Sequence, residues 1–249
     1  MIINNLTYHI SFQSNRRSYK AGPLKETIYT QTDVNRDDLS FKELANIMFE
    51  LYKKEPKINI YCVACSDGSE PYTITMQLKE HTPKEFSQKC LPIIATDIDP
   101  TILRCANSKR LNMTQEDIES LKKDGIDYTK YFEPANKKMY IMNDNLDGKT
   151  TTYLAKDNIK DDIIFEKKTI LQQGREITNE YPNVFSCRNV LEYIGDDDEQ
   201  VYYIQQIGKK LAKGDLFLIG DFDRGIRNIR TLQNMGFKEI SKNIFVKTI

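Results

Sequence analysis

The stretch YCVACSDGSEPYTITM, residues 61–76, decides the fold. It begins as an apolar run, breaks into a small polar loop, and resumes after a Glu-Pro pair with helical character. Strand, loop and helix in that order are the unit of a parallel sheet. The loop carries one glycine, Gly68, so its contents have to be worked out from the neighbouring side chains.

Outward from this unit the alternation repeats. INIYCVA (58–64) reads as a strand and EPYTITMQLKE (70–80) as a helix; LPIIATDID (91–99) and PTILRCANSK (100–109) follow as strand and helix. NVFSCRNV (183–190) is a strand, and DEQVYYIQQIGKKLAK (198–213) a helix ended by Gly214. DLFLIGDF (215–222) is a strand, RNIRTLQNM (227–235) a helix ended by Gly236, and KNIFVKTI (242–249) a final strand. Such alternation predicts an α/β, doubly wound, mainly parallel sheet. Upstream, Ser40 and Glu43 form a capping box before Leu44, Ile47, Met48 and Leu51, and Pro56 follows this helix. Residues 1–39 lack periodicity and read as an N-terminal arm ahead of a domain spanning 40–249. Residues 107–170 break the alternation. A helix from Thr114, then DYTKYFEP (127–134) and KKMYIMNDN (137–145), predict an inserted antiparallel subdomain, its sheet around 131–165.

Composition narrows the function. The 249 residues are 39% hydrophobic and 29% charged, enough for a large core. Lys plus Arg equals Asp plus Glu, 36 each, so no global basic field draws in nucleic acid. No apolar run approaches the roughly 20 residues that span a bilayer, and MIINNLTYHI is no signal peptide. These features predict a cytoplasmic chain, and they leave its oligomeric state open. Five cysteines argue against a closed disulfide framework. Cys62 and Cys65 form a C-x-x-C, but Cys62 lies inside a strand, and His9 and His81 are the only histidines. The pair reads as buried thiols, and no metal site is expected.

In a doubly wound sheet, ligands bind at the carboxyl ends of the strands. Asp97 ends the second strand, 29 residues beyond Gly68, near the spacing of a ribose-binding acid. Asp99, before Pro100, already serves as the helix cap, which leaves Asp97 free to face the crevice. One glycine is too few for close approach to a pyrophosphate, and Glu70 at the helix start repels phosphate. A carboxylate there suits an ammonium group. A nucleoside carrying an amino acid and no phosphate meets these demands, and S-adenosylmethionine is such a molecule.

The chain resembles the bacterial chemotaxis receptor methyltransferases (CheR type), which methylate receptor glutamates. CSDGSEPYTITM (65–76), ATDID (95–99) and FSCRNVLEYI (185–194) carry the resemblance, and NLT (5–7) is similar to the family's Asn-Leu-Thr-x-Phe-Phe-Arg. The resemblance implies a Rossmann-like methyltransferase sheet with an antiparallel C-terminal strand. It implies that Asn5 and Thr7 contact the cofactor, that Glu70 holds its methionine part and Asp97 its ribose. It places Arg188 and Asn189 beside it, Thr169 near the adenine, and Tyr193 near the transferred methyl. The family's arginine falls on Ser11; Arg16 or Arg17 would replace it from an arm that closes over the cofactor. The family's N-terminal helical domain has no counterpart ahead of NLT. The implied partner is a protein or peptide glutamate, gripped by the inserted subdomain. A carboxylate acceptor needs no base, and neither histidine lies in a motif strand. A small-molecule O-methyltransferase and a non-catalytic S-adenosylmethionine-binding module are the alternative readings.

Overall fold

The computed structural model describes residues 33–136 and 150–249. In its first half, α1 (Phe41–Tyr52) precedes β1 (Asn59–Val63), α2 (Ser69–His81), the short α3 (Lys84–Lys89), β2 (Ile93–Asp97) and α4 (Pro100–Asn107). An inserted region contributes β3 (Arg110–Thr114), α5 (Gln115–Lys123), β4 (Phe132–Pro134) and β5 (Thr150–Ala155). The chain then resumes with β6 (Ile163–Lys167), α6 (Ile170–Arg175), β7 (Asn183–Ser186), α7 (Asp197–Gly208), β8 (Leu216–Leu218), α8 (Ile226–Asn234), β9 (Phe237–Ser241) and β10 (Ile244–Lys247).

The central sheet has seven strands in the order β6-β2-β1-β7-β8-β10-β9. The first five are mutually parallel; β10 runs antiparallel to both β8 and β9. Side-chain alternation divides each strand between two cores. Ile60, Cys62, Val184, Leu216 and Leu218 face one layer with α1 and α2 residues such as Met48, Ile74 and Met76. Tyr61, Val63, Phe185, Phe217 and Phe245 face the other, with Ile170, Ile204, Ile207 and Leu232. The Phe185 and Phe217 rings stack at 6.0 Å. The result is a helix–sheet–helix sandwich.

From β1 the chain moves outward through β2 to β6, then returns to lay β7 on the other side of β1. That reversal makes the β1/β7 boundary a switch point, with a crevice at the carboxyl ends of the strands.

Three features differ from the sequence reading. The small sheet, β3-β5-β4, begins at Arg110, and β6 returns to the main sheet, so the insertion is centred further upstream than 131–165. The KKMYIMNDN segment lies outside the described residues. Helix α7 ends at Gly208, not Gly214: the Lys210 and Leu211 N–H groups both turn onto the Ile207 carbonyl, and Lys247 Nζ takes up the Gly208 carbonyl at 2.8 Å. Finally, residues 33–39 pack onto the domain, with Val34 and Leu39 buried in the core.

Candidate functional site

The loop between β1 and α2 is built on left-handed backbone at Ala64 (φ 53°), Ser66 (φ 51°) and Gly68 (φ 91°). Two of these are not glycine, at a cost of roughly 1–2 kcal/mol each. Internal bonds offset it. The Cys65 N–H donates to the Thr96 carbonyl at 2.9 Å, and the Ser66 N–H to Asp97 Oδ2 at 2.9 Å. The Gly68 N–H donates to the Cys65 carbonyl at 3.0 Å. Asp67 Oδ1 accepts from both the Ser69 N–H (3.0 Å) and the Ser69 hydroxyl (2.6 Å). Four N–H groups of the loop, those of Cys65, Ser66, Gly68 and Ser69, are thus taken by the protein's own oxygens. Gly68 is further required because a Cβ there would stand 2.9 Å from the Phe165 ring.

Asp97 closes β2 and is 7% exposed. Its second oxygen accepts the Asp99 N–H at 2.9 Å, and Asp99 in turn caps α4 through the Thr101 N–H at 2.7 Å. Burial raises the Asp97 pKa above the usual carboxylate range, against the lowering effect of those N–H groups. The neighbouring strand brings Thr169 to the same end of the sheet: Lys167 pairs with Asp97, and the Lys168 N–H donates to the Asp97 carbonyl at 3.2 Å. Thr169 is exposed and caps α6 in a capping box with Gln172.

Across the crevice, Glu70 in the first turn of α2 accepts from the Ser186 hydroxyl at 2.6 Å and from Arg188 Nη1 at 2.8 Å. Arg188 Nη2 pairs with Asp38, and the guanidinium lies over the Phe41 ring, 4.6 Å from its centroid. The Arg188 side chain is 2% exposed. Burial works against its charge, yet the Glu70 and Asp38 carboxylates prevail and hold its pKa above the ordinary value. Two carboxylates around one guanidinium leave this buried cluster with one net negative charge.

Asn189, also left-handed (φ 53°), gives its amide Nδ2 to Asp38 at 2.6 Å and accepts the Phe222 N–H on Oδ1 at 3.2 Å. Asp223 gathers the loop's backbone. It accepts the N–H groups of Asn189, Val190 (3.1 Å), Leu191 (2.8 Å) and Gly220 (2.9 Å). That loop ends in the short turn Leu191–Tyr193, which presents Tyr193, 47% exposed, at the crevice rim.

The structure therefore brings Glu70, Asp97, Thr169, Arg188, Asn189 and Tyr193 to one end of the sheet. Asn5, Thr7, Arg16 and Arg17 lie outside the described residues. Asp38, Ser186 and Asp223 escaped the sequence reading. Ser186 sits inside the quoted FSCRNV and could have been found as the residue facing Glu70's side of the strand. Asp38 carried only a faint signal, an acid two residues before a helix cap. Among the described residues no group of His, Cys, Asp and Glu is arranged as metal ligands. Cys62 and Cys65 are free, buried thiols whose pKa values burial pushes up.

The residues fit an aminoacyl nucleoside. The crevice has a net negative cluster for a cation, a buried acid for ribose hydroxyls, and a loop with four of its N–H groups already engaged. Ser66 Oγ, Thr96 Oγ1 and Arg188 Nε are buried polar atoms without a protein hydrogen bond, available to a polar ligand.

The family described as "CheR methyltransferase, SAM binding domain" matches residues 30–239. A chemotaxis protein methyltransferase of Borreliella burgdorferi is 26% identical over 216 residues, covering 86% of this chain and 70% of the relative. A second, from Vibrio cholerae and designated chemotaxis protein methyltransferase 2, is 28% identical and covers 66% of this chain and 50% of the relative. A third, from Listeria monocytogenes, is 24% identical, covering 77% and 62%. The match begins at residue 30, so Asn5, Thr7, Arg16 and Arg17 precede it.

Proposed function

The chain belongs to the CheR methyltransferase family and is an S-adenosylmethionine-dependent methyltransferase, and from that premise we propose that its methyl acceptor is the carboxylate of a protein side chain of the glutamate type. The observation that carries this reading is the absence of an imidazole base at the crevice among the described residues. His81 sits at the far end of α2, whose first turn holds Glu70. A hydroxyl acceptor needs a base within reach, and the crevice carboxylates Glu70 and Asp97 are already committed to hydrogen bonds within the fold and, on this reading, to the cofactor; a carboxylate acceptor is ionised at neutral pH and needs none.

When bound, S-adenosylmethionine supplies a methyl group activated by a sulfonium. The protein's task is then alignment and exclusion of water. Glu70, with Asp38 behind Arg188, gives the amino-acid end a net negative surrounding. The Nε–H of Arg188, which has no protein partner, is left for an anion. Asp97 uses two of about four lone-pair sites on backbone N–H groups and retains the others for the ribose hydroxyls. Thr169, exposed at the same end of the sheet, would contact the adenine. Asn189 fixes the start of the rim loop, and Tyr193 orients the acceptor carboxylate toward the methyl. Asn5 and Thr7, with Arg16 or Arg17, would close the crevice from the N-terminal side. The edges β3 and β4 of the small sheet are where a peptide could add as a further strand.

The test is methyl transfer from radiolabelled S-adenosylmethionine to glutamate-containing peptides and their glutamine counterparts. Label that alkali releases as methanol is a methyl ester and supports the reading. Alkali-stable label on a hydroxyl would replace it with an O-methyltransferase of another acceptor class. Tight cofactor binding without transfer to any acceptor would make the chain a binding module.

A further inference from the structure

We propose that Asp38 is a positioning residue that sets Arg188 and Asn189 together, and so ties cofactor binding to the loop that carries Tyr193. The proposal rests on the reading that the crevice holds S-adenosylmethionine.

Asp38 is 5% exposed and its two oxygens serve different elements. Oδ1 takes Arg188 Nη2, whose other nitrogen reaches Glu70 on the cofactor side. Oδ2 takes Asn189 Nδ2 at 2.6 Å. From Asn189 the contacts run the other way, through Oδ1 to the Phe222 N–H and through the backbone to Asp223, which also holds Val190 and Leu191. Asn189 has no room to compensate: its amide lies over Gly220, where a Cβ would fall 2.0 Å from Oδ1.

Asp38 is itself fixed from both sides. Its carbonyl accepts Asn243 Nδ2 at 2.6 Å, from the turn between β9 and β10. Three residues upstream, the Asn35 amide donates to Asp124 at 2.8 Å and to Ser120 at 3.0 Å, and accepts from Gln77 at 3.1 Å. Val34 and Leu39 are buried in the core on either side. The carboxylate therefore acts as a fixed strut. Its chemistry is required because two donors arrive, one at each oxygen. An asparagine there would turn its NH2 against an Arg188 or Asn189 N–H.

The experiment uses the full chain, S-adenosylhomocysteine as the probe, calorimetry for affinity, and hydrogen exchange of amides 189–193 with and without saturating probe. A merely structural role would lower stability without altering exchange in the bound state. In the wild type the probe slows exchange at 189–193. Asp38→Asn is expected to bind about tenfold or more weakly, the scale of a lost hydrogen bond to a charged group, and to gain no protection at 189–193 when saturated. Asp38→Glu, which keeps the charge, recovers part of both. Asp38→Asn with wild-type affinity, or with wild-type protection at saturation, overturns the proposal. Should that variant not fold, Asn189→Ser removes the second donor and decides instead: lost protection supports the strut, retained protection overturns it. A wild-type chain that binds no probe overturns the cofactor reading, and the proposal with it.

Discussion

Asp97 already holds the Ser66 and Asp99 N–H groups, one on each oxygen, so it organises the loop as well as facing the ligand. Asp97→Asn forces an NH2 against one of those donors and removes the charge that favours ribose hydroxyls. Its affinity for S-adenosylhomocysteine should fall about 10- to 100-fold by calorimetry, in line with hydrogen bonds to charged groups. Unchanged affinity would take Asp97 out of the site. The pH dependence has a definite sign. Burial raises the Asp97 pKa, so the carboxyl protonates at higher pH than an exposed aspartate. Affinity should therefore decline on acidification earlier than an exposed acid allows, and Asp97→Asn should flatten that decline. At this scale the sequence was readable at the junctions of strand and helix: Asp97 ends β2, Arg188 and Asn189 follow β7 within three residues, and Glu70 lies in the first turn of α2. Asp38 was not readable, because its meaning lies in partners 150 and 151 residues away, which no local spacing encodes.

The backbone of the loop from Asn189 to Leu191 is gathered on one carboxylate. Asp223 is fully buried, accepts four backbone N–H groups, and has its pKa raised to about 6 by burial, against the pull of those donors. The unfolded chain ionises the same carboxyl near 3.9. Between those values the folded state binds more protons than the unfolded one, so this group's contribution to stability is full below about pH 4 and falls as pH rises through about 6. The difference is worth about 3 kcal/mol. Carboxyl NMR should place the Asp223 midpoint near pH 6; a midpoint near 4 would reject the account. Asp223→Asn should remove this slope while lowering stability by about 1–3 kcal/mol, since its NH2 faces two N–H donors. Elements were legible where periodicity and caps agreed: Asp99 with Pro100 opens α4, and Ser40 caps α1 by accepting the Glu43 N–H. They were misread where packing decided. Helix α7 ends at Gly208, where packing against Met235, 2.7 Å from where a Cβ would stand, admits only glycine, a contact from beyond the next strand that no local pattern encodes. β9 is largely exposed and polar, so no hydrophobic run announces it.

For the whole molecule, the sheet alternation was legible because each strand–helix unit writes its own pattern. The strand order was not, since it depends on where the chain turns back. That turn places α2, β7 and the 33–39 segment around one buried cluster, so Glu70, Arg188 and Asp38 join three parts of the chain. Arg188→Met tests how far the fold depends on it. The variant keeps the apolar stem over Phe41 but leaves two carboxylates facing each other, with side-chain exposures of 19% for Glu70 and 7% for Asp38. Removing one partner from a buried ion cluster costs about 3–5 kcal/mol. For a domain of this size that corresponds to a melting temperature lower by roughly 10 °C. The loss should be smaller in Glu70→Gln/Arg188→Met, where only Asp38 stays charged, and the two effects should not add because the groups share one cluster. A deficit equal in the single and double variants would mean that Arg188 acts through packing on Phe41 and not through charge.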